Sequence, residues 1–197
     1  MGKNAFSVNV KIVFLTYIFI SISRIVTAPG IDFHLKAKIL IAGTEYVDMR
    51  YHEAEFSRFI KDLGRRESGN NWLCINIIGC FGEWQFAEST VQYLGFKNVT
   101  LKKFKKNPDI FPPELQRKVL ESLIKVNLVL LKDYEHYIGD TIDGVKITKS
   151  GLIAASHLGG AQSVKLFLAS KGRIDKEDVL GTPVFDYIRR FHDYDLN

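Results

Sequence analysis

Glu67 is the residue whose type and position most directly suggest chemistry. In RRESGNNW (residues 65–72) a single carboxylate stands between two arginines and a turn-forming Ser-Gly-Asn-Asn, where a helical pattern stops. The carbonyl end of a helix carries partial negative charge, so an ionised carboxylate is unfavourably placed there, and burial adds to that cost. An acid that keeps its proton is what general acid catalysis requires. Arg65 and Arg66 oppose the effect if their side chains reach Glu67. The plain alternative is an exposed helix-end acid paired with one of them.

Other residues offer chemistry with equally plain alternatives. Glu83, between Gly82 and Trp84, is the nearest candidate for a second acid, with Asp140 and Asp143 more remote. Glu83 also reads as a solvated turn residue. Trp72 and Trp84 suit stacking on sugar rings and suit a core equally well. His157 could make a polar contact to a ligand or be a satisfied structural residue, while Tyr134 and Tyr137 are expected to pack in the core. Cys74 and Cys80 could close a small loop in an oxidising compartment or serve as buried small hydrophobes, and the spacing leaves both open. The five histidines show no His-Glu-x-x-His spacing, so no metal is expected. Neither a Gly-x-Ser-x-Gly elbow nor a phosphate loop is present, and no cofactor is expected.

The elements that must position these residues are mainly helical. HEAEFSRFIKDLGRRE (52–67) sets Phe56, Phe59, Ile60 and Leu63 at helical spacing. AESTVQYLGF reads as a short helix with Val91 and Leu94 inward and Gly95 as its stop. Pro112 and Pro113 start a long pattern over 114–139, apolar enough to be the central buried helix, and Gly139 ends it. DTIDGVKI (140–147) turns the chain. Thr148 or Ser150 caps GLIAASHLGG, AQSVKLFLASKG follows as another short helix, and Thr182 caps a last one with Pro183 at its first position. Strand signals are confined to 36–43 and to a turn or small hairpin within 71–83. The expected fold class is mainly α, a helical domain with at most a small hairpin.

Length and composition bound the rest. A chain of 197 residues, 46% hydrophobic and 25% charged, suggests one domain and argues against wholesale disorder. Residues 1–28 read as a signal peptide: Lys3 and Lys11, an apolar run over 12–22, then Val26 and Ala28 at positions suited to signal peptidase. Arg24 departs from that pattern, and an uncleaved anchor is the alternative. Removing Lys3, Lys11 and Arg24 with no acid lowers the net charge from +5 to +2. No basic stripe of nucleic-acid type is evident, so no nucleic-acid partner is expected. The mature domain is then 29–197, secreted to a periplasm or the extracellular space, and expected to be a monomer.

Glu67-Ser68, then Gly79, Gly82 and Gln85, then Phe86, Thr90 and Leu94-Gly95, and finally Ala155, Gly159, Val164 and Leu168 form an ordered set over residues 65–168. That set resembles the lytic transglycosylase and goose-type lysozyme superfamily, in which Glu-Ser ends a helix and a Gly-x-x-Gly-x-x-Gln turn follows. SGLIAASHLGG with GTPVFDYIRRF is similar to a less-studied lysozyme-like branch. Ser156 and His157 stand where that superfamily carries Tyr-Asn.

The resemblance implies a lysozyme-like fold and cleavage of peptidoglycan glycan strands between N-acetylmuramic acid and N-acetylglucosamine. Glu67 is then the acid and afterwards the base, and Ser68, Trp84, Gln85, Ser156 and His157 are substrate-binding candidates. A single acid suffices for the transglycosylase reaction, whereas ordinary glycosidases use two. Two alternatives stand beside it: a hydrolytic muramidase using Glu83 or another acid, and a catalytically silent glycan-binding module.

Overall fold

The computed structural model describes residues 53–196. The signal peptide expected at 1–28 and the strand expected at 36–43 lie outside the described residues. Within them the fold is mainly α with one two-stranded hairpin. No helix among the described residues is long and apolar enough to cross a membrane.

Helix α1 (Glu53–Ser68) buries Phe56, Phe59, Ile60, Leu63 and Gly64, the stripe that its sequence spacing predicts. Glu53 and Glu55 in its first turn and Arg65 and Arg66 in its last suit the helix dipole. Residues 69–87 then form the predicted turn region, held by isolated bridges Ile75–Phe81 and Phe81–Phe86. Helix α2 (Glu88–Tyr93) ends at Gly95, which takes φ +98°.

Helix α3 (Leu101–Lys106) was not anticipated. Its sequence LKKFKK has one apolar anchor, Phe104, which is 1% exposed and packs against Phe81 (5.1 Å) and Phe111 (6.3 Å). Burying that one ring contributes about 2–3 kcal/mol, which offsets a helix too short to persist alone.

Helix α4 (Pro113–Leu131) follows the 3₁₀ turn Pro108–Ile110, with Pro113 at its first position as expected. It does not continue to Gly139. Residues Lys132–Tyr137 form a 3₁₀ helix, because the apolar positions there, Tyr134 and Tyr137, fall three apart and their rings stack at 6.1 Å. The expected turn at 140–147 is a hairpin of β1 (Thr141–Ile142) and β2 (Val145–Lys146), with Asp143 and Gly144 both at positive φ.

Helix α5 (Lys149–Ala169) is capped by Thr148, whose Oγ1 accepts the Gly151 N–H at 3.2 Å. Gly160, at φ +74° and ψ 158°, kinks it into the two expected pieces. The last helix, α6 (Val184–Arg190), begins one residue later than predicted, with Pro183 as N-cap in place of Thr182. The centre of the fold is α5, which packs most extensively on α6 and then on α4. The predicted central helix therefore shares its place with one whose small residues, Gly151, Ala154 and Ala155, allow close approach: a Cβ on Gly151 would lie 3.1 Å from the Ile188 carbonyl oxygen.

Candidate active site

Glu67 projects from the last turn of α1 and is half-buried. Its Oε1 accepts a short hydrogen bond from the hydroxyl of Tyr187. Helix α6 supplies that hydroxyl because Val184, Tyr187 and Ile188 form its buried face, with the Tyr187 ring 3% exposed and 5.6 Å from the Phe191 ring. The Arg66 guanidinium lies 5.6 Å from the centre of the same ring. Burial, then the charge of Glu67 and the hydrogen bond to it, push the Tyr187 phenol well above the usual range. Tyr187 is therefore a lasting donor to the carboxylate.

Two further groups share this environment. Burial pushes the Cys80 thiol up, and the charges of Glu67 and Asp178 add to it while a hydrogen bond with Asn76 opposes. Asp178 also acts on Tyr187. Its Oδ1 accepts the N–H groups of Leu180 (2.9 Å) and Thr182 (2.7 Å), which fixes the loop before α6. Cys74 and Cys80 are both free thiols.

The turn after Glu67 is held by side chains reading backbone. Ser68 Oγ donates to the Glu83 carbonyl (2.7 Å) and accepts the Asn71 N–H (3.0 Å), tying the end of α1 to the glycine turn. Gln116, fully buried in α4, accepts the Glu83 N–H at 2.6 Å and donates to the carbonyls of Phe111 (2.7 Å) and Trp72 (3.0 Å). Gly82 is required at its place: it has φ +87°, and a Cβ would lie 2.7 Å from Gln116 Oε1. Gln85, at φ +48°, donates to the Gly82 carbonyl at 2.6 Å, while its Oε1 is buried without a partner.

The expected site residues divide accordingly. Glu67, Ser68 and Gln85 come together around one turn, with Ser68 and Gln85 engaged by backbone. His157 Nε2 bonds the Trp84 carbonyl at 2.8 Å and its Nδ1 is buried without a partner, so it braces the same turn from α5. Trp84 is a core residue, 4% exposed, with its indole N–H donating to the Ile60 carbonyl at 2.8 Å, and offers no stacking face. Ser156 is 2% exposed, and its hydroxyl donates back to Leu152 and Ile153, so it lines no cleft. Trp72 and Tyr134 are partly buried against the core.

Glu83 lies beside the last turns of α1. Its carboxylate lies over Gly64, where a Cβ would meet Oε1 at 2.8 Å, and it opens on a cavity of about 340 Å³ bordered by Ser57, Lys61, Glu114 and Arg117. Burial alone raises its carboxyl. Asp178 is a further acid, whose charge acts on Tyr187 and Cys80.

Sequence reasoning passed over Tyr187, Gln116 and Asp178. Gln116 left a signal, a polar residue in register with Val119 and Leu120 on an apolar stripe. Tyr187 left none, because in DYIRRF it reads as one more core aromatic. No protein-family model, curated protein or solved structure matches the chain.

Proposed function

We propose that the protein is a secreted, lysozyme-like enzyme that cleaves the glycan strands of peptidoglycan, with Glu67 as general acid and then general base. The observation that carries the reading is the hydrogen bond from Tyr187 to the half-buried Glu67 at the end of α1. A donor on one carboxyl oxygen orients the group and leaves the other oxygen to deliver a proton to the glycosidic oxygen between N-acetylmuramic acid and N-acetylglucosamine. As the leaving group departs, the resulting carboxylate accepts a proton from the sugar's C6 hydroxyl, and that oxygen closes a 1,6-anhydro ring. The steps balance with one acid and no water.

A hydrolytic reading is favoured by one observation. Further carboxylates stand near this end of α1: Glu83 lies against Gly64, and the charge of Asp178 acts, like that of Glu67, on Tyr187 and Cys80. Two carboxylates flanking the scissile bond are the ordinary glycosidase arrangement, and in the inverting kind the second of them activates a water.

Digestion of purified peptidoglycan by the wild type and by Glu67→Gln, followed by mass spectrometry, separates the readings. Anhydro-muramic ends from the wild type alone support the transglycosylase. Free reducing ends support the hydrolase and direct attention to Glu83 and Asp178. Retained binding to peptidoglycan with no released fragment from either protein overturns both in favour of a binding module.

A further inference from the structure

Positive charge clusters on one small element. Residues 89–108 hold five of the 27 Lys and Arg and none of the 22 Asp and Glu, whereas the rest of the chain after residue 28 holds 19 basic and 22 acidic residues. Those five are Lys97, Lys102, Lys103, Lys105 and Lys106, and all are exposed. Elsewhere four arginines pair with acids on their own helices, Arg58–Glu55, Arg65–Asp62, Arg117–Glu121 and Arg189–Asp186. Lys97, Lys102, Lys105 and Lys106 make no such pair among the described residues, and Lys103 Nζ donates to the Asn98 carbonyl.

The geometry makes a convex cationic face. At about 100° per residue the four lysines of α3 span an arc of roughly 160° centred opposite Phe104, which pins the helix to the core. Glu88 Oε2 accepts the Leu101 N–H at 2.7 Å and steadies the other end. Every cation here is a lysine, a mobile point charge, and no arginine fork is present to fit a single phosphate. Lysines spread over the outer face of one helix, with its only ring, Phe104, turned into the core, suit a planar array of negative charge better than a threaded polymer that stacks its bases on aromatic rings. Tyr93, 58% exposed at the end of α2 and four residues before Lys97, adds an amphipathic ring of the kind that favours the headgroup layer.

We propose that α3 with Lys97 docks the protein on an anionic phospholipid bilayer surface. The docking stands whether or not Glu67 is catalytic. Leu101 lies against Gly79, where a Cβ would be 3.2 Å from its Cδ2, so the docked helix adjoins the turn that borders the candidate site.

The test is vesicle co-sedimentation of the full chain, comparing phosphatidylcholine vesicles with vesicles doped with phosphatidylglycerol. Pure phosphatidylcholine supplies the baseline for any contribution from the apolar stretch 12–22. Each lysine near such a surface adds about fivefold to binding. Joint Lys102, Lys103, Lys105 and Lys106→Gln is therefore expected to lose roughly 100-fold or more, and raised salt is expected to release the wild type. Circular dichroism confirms that this variant is folded. A control with equal charge loss, Lys118, Lys146, Lys171 and Lys176→Gln, is expected to keep most of its binding. Equal loss in the control, no preference for the anionic vesicles, or equal affinity for soluble polyphosphate or duplex DNA would each overturn the proposal.

Discussion

The hydroxyl of Tyr187 donates to Glu67 Oε1 across 120 residues of chain, joining the last turn of α1 to the middle of α6. The contact ties the candidate acid to the element that closes the fold. Tyr187→Phe keeps the buried ring and removes only the donor. It is expected to cost about 1–3 kcal/mol in urea unfolding and to lower peptidoglycan turnover by up to roughly 100-fold, through a carboxyl no longer held in place. Unchanged turnover in a folded Phe variant would count against a positioning role for the tyrosine.

Gln116 satisfies three backbone groups at once. Gln116→Leu preserves shape and strands the Glu83 N–H and the Trp72 and Phe111 carbonyls in the interior. A loss of about 2–4 kcal/mol is expected, read as a lower urea midpoint at constant slope. A midpoint that hardly moves would mean that water reaches these groups.

Gly82→Ala meets two obstacles, a φ of +87° and a Cβ 2.7 Å from Gln116 Oε1. The backbone conformation alone costs about 1–2 kcal/mol. Since part of the remaining cost is the collision with Gln116, the double variant with Gln116→Ala is expected to lose less than the two single losses added. Strict additivity in a double-mutant cycle would remove the steric explanation.

Tyr194 gives the fold an alkaline limit. Burial and the hydrogen bond to Asp62 at 2.8 Å push its phenol up to about 12. Its folded value is raised, so the associated stability is fully present below about pH 10, the unfolded value, and is lost as pH rises through 12. The stability of the wild type is expected to fall across that window, and Tyr194→Phe to flatten the part of the slope due to this residue. Tyr187, raised further, adds its share in the same direction.

Glu83 acts at the opposite end of the scale. Burial raises its carboxyl, so the folded state holds the proton more tightly, and the associated stability is present below about pH 4.3 and lost as pH rises through the folded value. Glu83→Gln is expected to be more stable than the wild type at neutral pH and to match it in acid. Denaturation at the two pH values checks this. A variant less stable at neutral pH would show that the carboxylate has a favourable partner.

The helices were legible where periodicity met punctuation. Phe56, Phe59, Ile60 and Leu63 announced α1, Gly95 the end of α2, Pro112-Pro113 the start of α4, and Thr148 the cap of α5. Helix α3 was not, since LKKFKK shows one apolar residue and no period, and it is the pocket beneath Phe104 that makes it helical. Asp143-Gly144 between Ile142 and Val145 carried a hairpin signal that was read only as a turn. In the candidate site, Glu67 and the glycine turn could be read locally. Trp84 and Ser156 could not be told from cleft residues because their burial is decided by α1 and by the interior of α5. The partner of Glu67 lies on an element whose approach no local pattern encodes.

Gln116 joins points of the chain at residues 72, 83 and 111 from a fully buried position on α4. The Glu83 amide hydrogen can therefore exchange with solvent only when the side chain from α4 lets go. Hydrogen-exchange protection at the Glu83 amide is thus expected to match that of the buried amides of α4 and not that of an independent surface flap.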